Sequence, residues 1–552
     1  MAASILPGRL LILPAAYIFL LISWRALRHY LLVKTNGCSN LPLLQNGRNP
    51  KEKIRGTAVV CGGSVAGLLT ARVCHNHFER VLIIEPEAWV ASEEGRKIKG
   101  WDQKLQRSRV AQYNSLHACQ CFLFAGLKTL FPDLEEQCRA SDIKIVPSNP
   151  RFNLSGVLLR IPFSAYKSGL PKTMYLGRSG FETLLRRLVL DRASFPNIEF
   201  MTGTVTDVLP DPANRSRLNK VVVRTESGVD ELEVTLVADC TGPTRAGMKW
   251  LERSGYGYSP AYSGGKLPLD QLKISFDQKL RYSSIMFRIT PEFHDRLPFP
   301  ADMKNTGSIY TFLDEEVEKG RTLFALTRPD GNQLLAFTGH HGTVQSPPQN
   351  LTELKEYVRA LRAVEPIPDW VFEILDMLQE VENTAVVAIV KIPPTSYVQY
   401  HRGTNLPSNW VALGDSTMTL NPLFSEGCTK AFKGALALHN VLCDTLATPG
   451  NTLPSTFSTK FFAEHFDKTD LAWQNTKLMD YGVPMTVPLP GESLSSGEYL
   501  RWYITKLQHL AINDDHAALV LYNSAMGLAS PVDAFHPNLV LKVFWRALWG
   551  GI

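Results

Sequence analysis

The segment GTAVVCGGSVAGLLTARVCHNHFERVLIIE, residues 56–85, constrains the fold more than any other part of this chain. A β-branched run ends at Gly62 and Gly63, and a segment with apolar residues at helical spacing follows. A second apolar run then ends at Glu85. Strand, glycine turn, helix and strand in this order predict a βαβ unit, the building block of a parallel sheet.

The turn of this unit reads GGSVAG over residues 62–67. In dinucleotide-binding folds the first glycine forms the turn, the middle residue faces a pyrophosphate at the helix N-terminus, and Gly67 permits close helix packing. Ser64 at the middle position is chemically tolerable, because its small hydroxyl can donate to a phosphate oxygen. Glu85 is placed to bind ribose hydroxyls. The pattern predicts dinucleotide binding; the alternative is an ordinary glycine-rich turn of an α/β protein.

Two later segments, VADCTGPTRAG and WVALGDSTMTLNPLFSEG, each place a carboxylate at the end of a predicted strand. Such a carboxylate can accept hydrogen bonds from the ribityl hydroxyls of a flavin. A Pro/Gly turn that opens a helix can present backbone N–H groups to the pyrimidine edge of a flavin. The candidate residues are Asp239, Gly242, Gly414, Asp415, Pro422 and Gly427.

Taken together, the three segments resemble the single-component FAD-dependent monooxygenases of the aromatic hydroxylase and squalene epoxidase type, in their fungal natural-product branch. Two local matches extend the resemblance: RSRVAQYNSLH implies that Arg107 and Gln112 lie beside the flavin, and YLGRSGFETLLRRL implies a cofactor contact for Arg178. The resemblance covers residues 55–545. It departs from the family pattern in DCTGPTR, where Cys240 and Thr241 separate the aspartate from the glycine and leave its contacts open.

The resemblance implies an α/β fold in which an FAD-binding Rossmann-like domain of the GR2 type is interleaved with a mixed-sheet substrate domain. It also implies a helical C-terminal region, and the sequence adds an N-terminal membrane anchor. The expected divisions are an anchor (1–34), a linker (35–54), a first FAD-binding part (55–245), a substrate domain (246–400), a late FAD-binding segment (401–440) and C-terminal helices (441–552). Residues 270–400 are predicted to be strands around one helix, and the chain after Gly427 to be mostly helical.

The implied activity is monooxygenation with FAD, NAD(P)H and O₂, through a flavin C4a-hydroperoxide. The expected substrate is a hydrophobic small molecule, such as a terpenoid, a prenylated phenol or a polyketide. The sequence favours epoxidation over hydroxylation, because no clear catalytic base is evident. Three alternatives remain: a prenyl-chain reductase, a flavin-dependent halogenase (although its Trp-x-Trp-x-Ile-Pro segment is missing) and a non-enzymatic flavoprotein.

The N-terminal run LLILPAAYIFLLISW, residues 10–24, carries no charge and is followed by Arg25 and Arg28. It is short for a span of about 20 residues, yet the positive charge after it favours an uncleaved anchor with the body on the cytosolic side. We therefore expect a membrane protein, of the endoplasmic reticulum, and a cleaved signal peptide is the alternative. The tail VFWRALWGGI, residues 543–552, is predicted either to lie at a membrane interface or to pack on the body.

The formal charge of +6 includes no dense Lys/Arg block, so no nucleic-acid partner is predicted. The nine cysteines form no repeated CxxC pair, so no metal site is predicted either. His340 and His341 are adjacent on a predicted strand and must point to opposite faces. At most one of them can reach a pocket, and we interpret both as structural or surface residues.

Overall fold

The computed structural model describes residues 6–154, 157–258, 265–300, 310–313, 321–342, 346–362, 366–445 and 452–549. Its helices are α1 (Leu6–Leu31), α2 (Val65–His75), α3 (Cys121–Leu130), α4 (Leu134–Ala140), α5 (Arg178–Val189), α6 (Ala246–Arg253), α7 (Pro291–Arg296), α8 (Leu351–Ala360), α9 (Asp369–Met377), α10 (Gly427–Asp444), α11 (Phe457–Asp480), α12 (Glu498–Ala511), α13 (Asp515–Ala525) and α14 (Pro537–Trp549). Its strands are β1 (Ile54–Cys61), β2 (Phe78–Glu85), β3 (Lys144–Pro147), β4 (Arg151–Leu154), β5 (Val157–Leu158), β6 (Lys172–Tyr175), β7 (Ile198–Thr202), β8 (Thr204–Pro210), β9 (Leu218–Arg224), β10 (Val229–Glu233), β11 (Leu236–Asp239), β12 (Lys273–Phe276), β13 (Leu280–Arg288), β14 (Tyr310–Leu313), β15 (Arg321–Thr327), β16 (Gln333–His341), β17 (Val386–Lys391), β18 (Thr395–Val398), β19 (Trp410–Ala412) and β20 (Met418–Thr419).

The predicted βαβ unit forms the middle of a parallel sheet with strand order β19-β11-β1-β2-β7. The central strands β1 and β2 become apolar and buried toward their carboxyl ends, as in a parallel sheet that is covered on both faces; Val59 and Val60, for example, are fully buried. The chain leaves this sheet after β11, builds a second sheet, and returns at β19. All strands of the parallel sheet end at the same edge, so the polar residues that follow β1, β2, β11 and β19 collect there.

A tight turn at this edge requires two of the glycines. Gly62 has a φ of 118°, and a Cβ on it would lie 2.5 Å from the carbonyl oxygen of Cys240, which follows β11. A Cβ on Gly67 would lie 1.8 Å from the carbonyl oxygen of Gly62. A side chain at either position would push α2 or β11 away from β1, so the roles assigned to Gly62 and Gly67 follow from sterics.

The second sheet has the order β17-β13-β16-β15-β14-β4-β5 and is antiparallel except where β14 meets β4. Side chains of β16 alternate between its faces. Leu334 and Ala336 pack under α8 and α9, whereas Leu335 and Phe337 pack with Tyr175 on the opposite face. The prediction of a single helix in residues 270–400 is wrong, because α7 and α9 accompany α8.

Other local predictions are confirmed. β9 and β10 form the expected hairpin, closed where the Thr225 N–H donates to the Gly228 carbonyl oxygen at 2.8 Å. The chain from Gly427 onward is mostly helical, as α10 to α14. At the other terminus, Pro14–Asn36 is, by length and composition alone, the candidate membrane span among the described residues, and its most apolar 18-residue window has no buried residue.

Candidate cofactor site

The N-terminus of α2 opens directly onto the carboxyl edge of the parallel sheet. Ser64 is its N-cap residue, but no described side chain caps this helix end. Instead the Ser64 hydroxyl donates to Glu182 Oε2 at 3.0 Å and accepts from Arg178 Nη2 at 2.9 Å. The first-turn N–H groups of α2 therefore keep their capacity for an anion, and the positive end of the helix dipole lies with them.

A cluster of charged side chains lies beside this helix end, with the fully buried carboxylate of Glu182 at its centre. Glu182 Oε1 is 2.5 Å from Arg107 Nη1 and 2.7 Å from Arg186 Nη1, and its Oε2 is 3.2 Å from Arg178 Nη2. Burial by itself raises the pKa of Glu182, but Arg107 and the other two guanidinium groups outweigh it and lower the pKa to about 2. The carboxylate is therefore ionised at every physiological pH.

Glu85 ends β2 as predicted, and the glycine turn holds it in place. Its Oε2 accepts the Gly63 N–H at 2.8 Å and lies 3.1 Å from Arg107 Nη2. Arg107 also contacts Glu87, and these acids, with Glu182 foremost, keep the pKa of Arg107 above its ordinary value despite its burial. Glu85 Oε1 accepts the Glu87 N–H at 3.2 Å, so Glu85 reaches the site with protein partners already on both oxygens.

Asp239, at the end of β11, is buried and folded back onto its own turn. Its Oδ1 accepts from the Thr241 N–H at 2.9 Å, from the Thr241 hydroxyl at 2.7 Å and from the Ser416 hydroxyl at 3.1 Å. Burial raises the pKa of Asp239, although these hydrogen bonds oppose the rise. The Ser416 hydroxyl also accepts from the Gly242 N–H at 3.0 Å. The two inserted residues of DCTGPTR therefore let the aspartate organise the turn that links the early and late segments.

The late segment packs directly on the first turn of α2. Gly414 has a φ of 65°, and a Cβ on it would lie 2.6 Å from Cβ of Ala66. The next side chain, Asp415, is 49% exposed and pairs with the buried Lys430 at 2.6 Å. Surrounding protein on its own would raise the pKa of Asp415, but Lys430, Arg178 and Arg245 lower it below its usual range. The exposed half of this carboxylate is open to the carboxyl edge of the parallel sheet, which we call the cleft.

The Pro422 turn completes this edge. The Asn421 side chain accepts from the Leu423 N–H at 3.0 Å, which fixes the turn, and α10 then begins at Gly427 without a side-chain cap. No described atom lies within 4 Å of a Cβ built on Gly427 or on Gly242. Open space therefore adjoins the start of α10 and the turn after β11, beside the uncapped end of α2.

Gln112 lies apart from the charge cluster that holds Arg107. Its carbonyl oxygen accepts from the Ser115 N–H at 3.1 Å, and its side chain hydrogen-bonds with Tyr282. Tyr282 belongs to the second sheet, and its hydroxyl is 2.9 Å from the Ser115 hydroxyl. The two residues of this motif thus have different partners: Arg107 pairs with the early acids, and Gln112 contacts Tyr282 on β13 of the second sheet.

Comparison with known proteins supports the fold. No protein-family model matches the chain. Protein Rv3254 of Mycobacterium tuberculosis is 23% identical over 391 residues, which are 69% of this chain and 71% of that protein. The flavin-dependent brominase Bmp2 is 12% identical, with a TM-score of 0.51, over 89% of this chain and 100% of its own. The anhydrotetracycline hydroxylase OxyS of Streptomyces rimosus is 14% identical, with a TM-score of 0.51, over 86% of this chain and 76% of its own.

This protein has the fold of flavin-dependent monooxygenases and halogenases. At these identities the likeness concerns fold alone, and it agrees with the resemblance to single-component FAD-dependent monooxygenases. The residues around the cleft fit such a cofactor: the uncapped end of α2, the space beside Gly242 and Gly427, and the exposed carboxylate of Asp415 meet at one sheet edge.

Several residues of this site were missed from sequence, among them Glu182, Arg186, Arg245, Ser416 and Lys430. Glu182 had a usable signal, since it stands four residues from both Arg178 and Arg186 on one helix, the spacing of ion pairs. Lys430 and Ser416 had none, because their partners Asp415 and Asp239 are brought to them by turns and by strand pairing.

The histidine pair behaves as strand geometry requires. His340 points toward α8, with its ring centroid 4.8 Å from that of Tyr357. His341 points to the other face, and its Nε2 is 3.8 Å from an oxygen of Asp480, which also accepts from the Asn421 side chain at 2.8 Å. Both histidines are buried, so the structural interpretation is right and the surface one is wrong. His341 is thereby linked through Asp480 to Asn421, whose side chain fixes the Pro422 turn.

One cluster departs from the expectation of no metal ligands. His77, His439 and Cys443 place possible ligand atoms within 4.8 Å of one another. Hydrogen bonds account for this grouping: His77 Nε2 is 3.3 Å from His439 Nδ1, and His439 Nε2 is 2.7 Å from the Leu43 carbonyl oxygen. Burial lowers the pKa of both imidazoles, so both are neutral and need no counter-ion. The cluster is explained as a hydrogen-bonded link between β2, α10 and the linker.

Proposed function

We propose that this protein is an FAD-dependent monooxygenase that uses NAD(P)H and O₂ to epoxidise or hydroxylate a hydrophobic small molecule. The observation that carries the proposal is the meeting of three features at one sheet edge. These are an uncapped helix start after a glycine turn, a half-exposed carboxylate at Asp415, and the open start of α10 at Gly427. The first suits a pyrophosphate, the second suits ribityl hydroxyls, and the third suits the electron-rich edge of a reduced flavin.

In this proposal, α2 and Arg178 hold the pyrophosphate of FAD, Glu85 the adenosine ribose and Asp415 the ribityl chain. Bound FAD would supply the redox chemistry, passing electrons from NAD(P)H to O₂ so that one oxygen atom reaches the substrate. The protein itself has to orient the substrate and exclude water.

The apolar face of the second sheet suits that task. Leu335 and Phe337 of β16 pack with Tyr282 and Tyr175, and Leu423 of the Pro422 turn packs against the same layer. The late segment of the cofactor site is thereby joined to a dry wall of apolar and aromatic side chains. Such a wall favours a hydrophobic substrate, for which we propose a terpenoid, a prenylated phenol or a polyketide.

Oxygen uptake and colour test the proposal together. The purified protein should be yellow and should release FAD on denaturation, since we expect a non-covalent linkage. Substrate-dependent NADPH oxidation should consume O₂ and incorporate one ¹⁸O atom into the product. Halide incorporation would favour a halogenase, and turnover without O₂ a prenyl-chain reductase. A folded but colourless protein that FAD cannot reconstitute would overturn the assignment.

Hydroxylation of a phenol has one observation in its favour. His341 lies on the same face of β16 as Leu335 and Phe337, with Asp480 positioned 3.8 Å behind it. An imidazole held in this way can accept a phenolic proton, which epoxidation of an alkene does not require. Turnover of a model phenol by His341→Gln should therefore fall while that of a model alkene is retained; an equal loss with both substrates would remove this second candidate.

We further propose that α1 anchors the protein in the membrane of the endoplasmic reticulum, with the body in the cytosol. Support comes from the candidate span Pro14–Asn36 and from the positive charge of Arg25 and Arg28. The protein should stay with membranes in alkaline carbonate, and its body should be digested by protease added to intact microsomes. An N-terminus that begins after residue 24 would instead identify a cleaved signal peptide.

A further inference from the structure

The C-terminal helix α14 exposes large apolar side chains on the face that points away from the protein. Leu539 and Val543 are buried against α12 and α13. The outward face carries large apolar residues that are between 49% and 72% exposed: Leu541, Phe544, Trp545, Leu548 and Trp549. Their spacing places them on one stripe along the helix. A stripe of this size and composition on a protein surface marks a surface that meets an apolar partner.

Helix α12 widens this surface. The ring centroid of Trp502 lies 5.7 Å from that of Phe544, and Tyr499 and Leu500 are exposed one turn earlier on the same helix. Trp545 and Trp549 stack with centroids 4.4 Å apart. We call the exposed residues of α12 and α14 together the aromatic surface.

The position of the aromatic surface identifies its partner, because it adjoins α1 where the uncharged run of residues 10–24 ends. The Trp24 indole N–H donates to the Val532 carbonyl oxygen at 2.8 Å, and Arg28 pairs with Asp533 at 2.6 Å. The Trp24 ring also lies 4.5 Å from the ring of His536, the residue before α14. Trp24 and Arg28 end the apolar run of α1, where a spanning helix meets lipid headgroups. Helix α14 therefore begins at headgroup level.

Composition favours the same partner. Trp and Tyr are enriched where a protein meets the headgroup region. Helix α14 has no acidic residue; its Lys542 is paired with Asp514 at 2.5 Å, and the charge of its Arg546 suits a bilayer that contains anionic lipid.

We infer that the aromatic surface lies in the interfacial layer of a lipid bilayer, in the leaflet that faces the catalytic body. The enzyme is then held at two places, by α1 across the membrane and by α12 and α14 on it. This second contact holds the body against the membrane, the phase into which a hydrophobic substrate partitions. This inference rests on the proposed anchor α1 only for which side of the protein faces the membrane, and the experiment that tests it leaves α1 unchanged.

Tryptophan quenching in the full-length protein tests this inference. Wild type and W545F/W549F are reconstituted into phosphatidylcholine vesicles with anionic lipid, with and without bromine on the acyl chains. The difference in emission between the two proteins isolates Trp545 and Trp549. We expect bromolipid to reduce this difference emission about two-fold or more, while iodide in the buffer has little effect. W101F is the matched control, because Trp101 packs on Gly331 in the body, and its difference emission should resist bromolipid.

The outcomes separate the possible partners. Quenching by iodide and not by bromolipid would overturn the inference and leave the surface in water. Resistance to both quenchers, together with a dimer in the bilayer that W545F/W549F lacks, would assign it to a second copy of the chain. Failure of the wild type to associate with vesicles would overturn both the anchor and this inference, whereas vesicle association without bromolipid quenching would overturn this inference alone.

Discussion

The early half of the candidate cofactor site, formed around β1, α2, β2 and α5, and the late half, formed by β19 and the start of α10, both contain acids, but they use them differently. In the early half, Glu182 is inaccessible and shared by three arginines, and Glu85 is held by Gly63 and Arg107. In the late half, Asp415 has one close cation, Lys430, and half of its surface faces the cleft. A buried ion cluster maintains the shape of a site, whereas an accessible carboxylate can exchange solvent for ligand hydroxyls. The early acids therefore mainly hold the site together, and Asp415 is the acid most accessible to a ligand.

The largest effect is expected when the ion cluster of the early half is disrupted at Glu182. Glu182→Gln removes the charge that Arg107, Arg178 and Arg186 share; Arg107 keeps Glu85 and Glu87, whereas the cations of Arg178 and Arg186 lose the carboxylate they pair with. We expect the free energy of unfolding to fall by about 3–5 kcal/mol, as measured by urea denaturation. Glu199→Gln is the control, because its pair with Arg80 is exposed and should cost at most about 1 kcal/mol. Equal stability of the two variants would show that the Glu182 cluster does not hold the site together.

The next effect concerns the late half. Asp415→Ala should weaken FAD binding by roughly ten- to a thousand-fold, because buried hydrogen bonds cost about 1–3 kcal/mol each when left unmade. Glu85→Ala should have a milder effect, since its carboxylate already has protein partners. Lys430→Met keeps Asp415 but removes the ion pair, so it controls for loss of the pair alone. Titration that shows Asp415→Ala binding FAD as tightly as the wild type would refute this placing of the cofactor.

A third acid joins the second sheet to the early half, and it predicts a pH dependence. Asp330 accepts the Gly177 N–H at 2.5 Å, just before α5, and burial raises its pKa from 3.8 to about 6. Because the folded state holds this proton more tightly, the stabilisation present below pH 3.8 is lost as pH rises to about 6. The loss is at most about 3 kcal/mol. Asp330→Asn should remove this part of the pH dependence in denaturant titrations; an unchanged slope between pH 4 and 6 would contradict it.

The smallest effect is expected at His341, which lies outside the late half of the cofactor site. His341→Ala should change FAD affinity less than about two-fold, because its imidazole contacts Asp480 and lies one residue layer behind Asn421. Equilibrium dialysis against FAD, side by side with Asp415→Ala, makes the comparison. A loss of FAD by His341→Ala with Asp415→Ala unaffected would move the cofactor away from the proposed cleft.

The sequence predicted the features that depend on residues near one another in the chain. The turn around Gly62, the packing at Gly67 and the position of Glu85 follow from strand and helix periodicity and from the space around a missing Cβ, which neighbouring residues decide. The opposite directions of His340 and His341 follow from the two-residue period of a strand. The hairpin of β9 and β10 and the helical C-terminal part follow in the same way.

The tertiary structure decided the contacts between residues that are far apart in the chain. Asp239 meets Ser416, and Asp415 meets Lys430, only because β11 pairs with β19 and α10 folds back over the edge of the sheet. The sequence also could not predict which face of α14 is exposed, because apolar residues surround much of this helix. The packing of Leu539 and Val543 on α12 and α13 decides it. Periodicity is a property of neighbouring residues, whereas the partner of a side chain depends on how distant elements pack, and that is set by the whole fold.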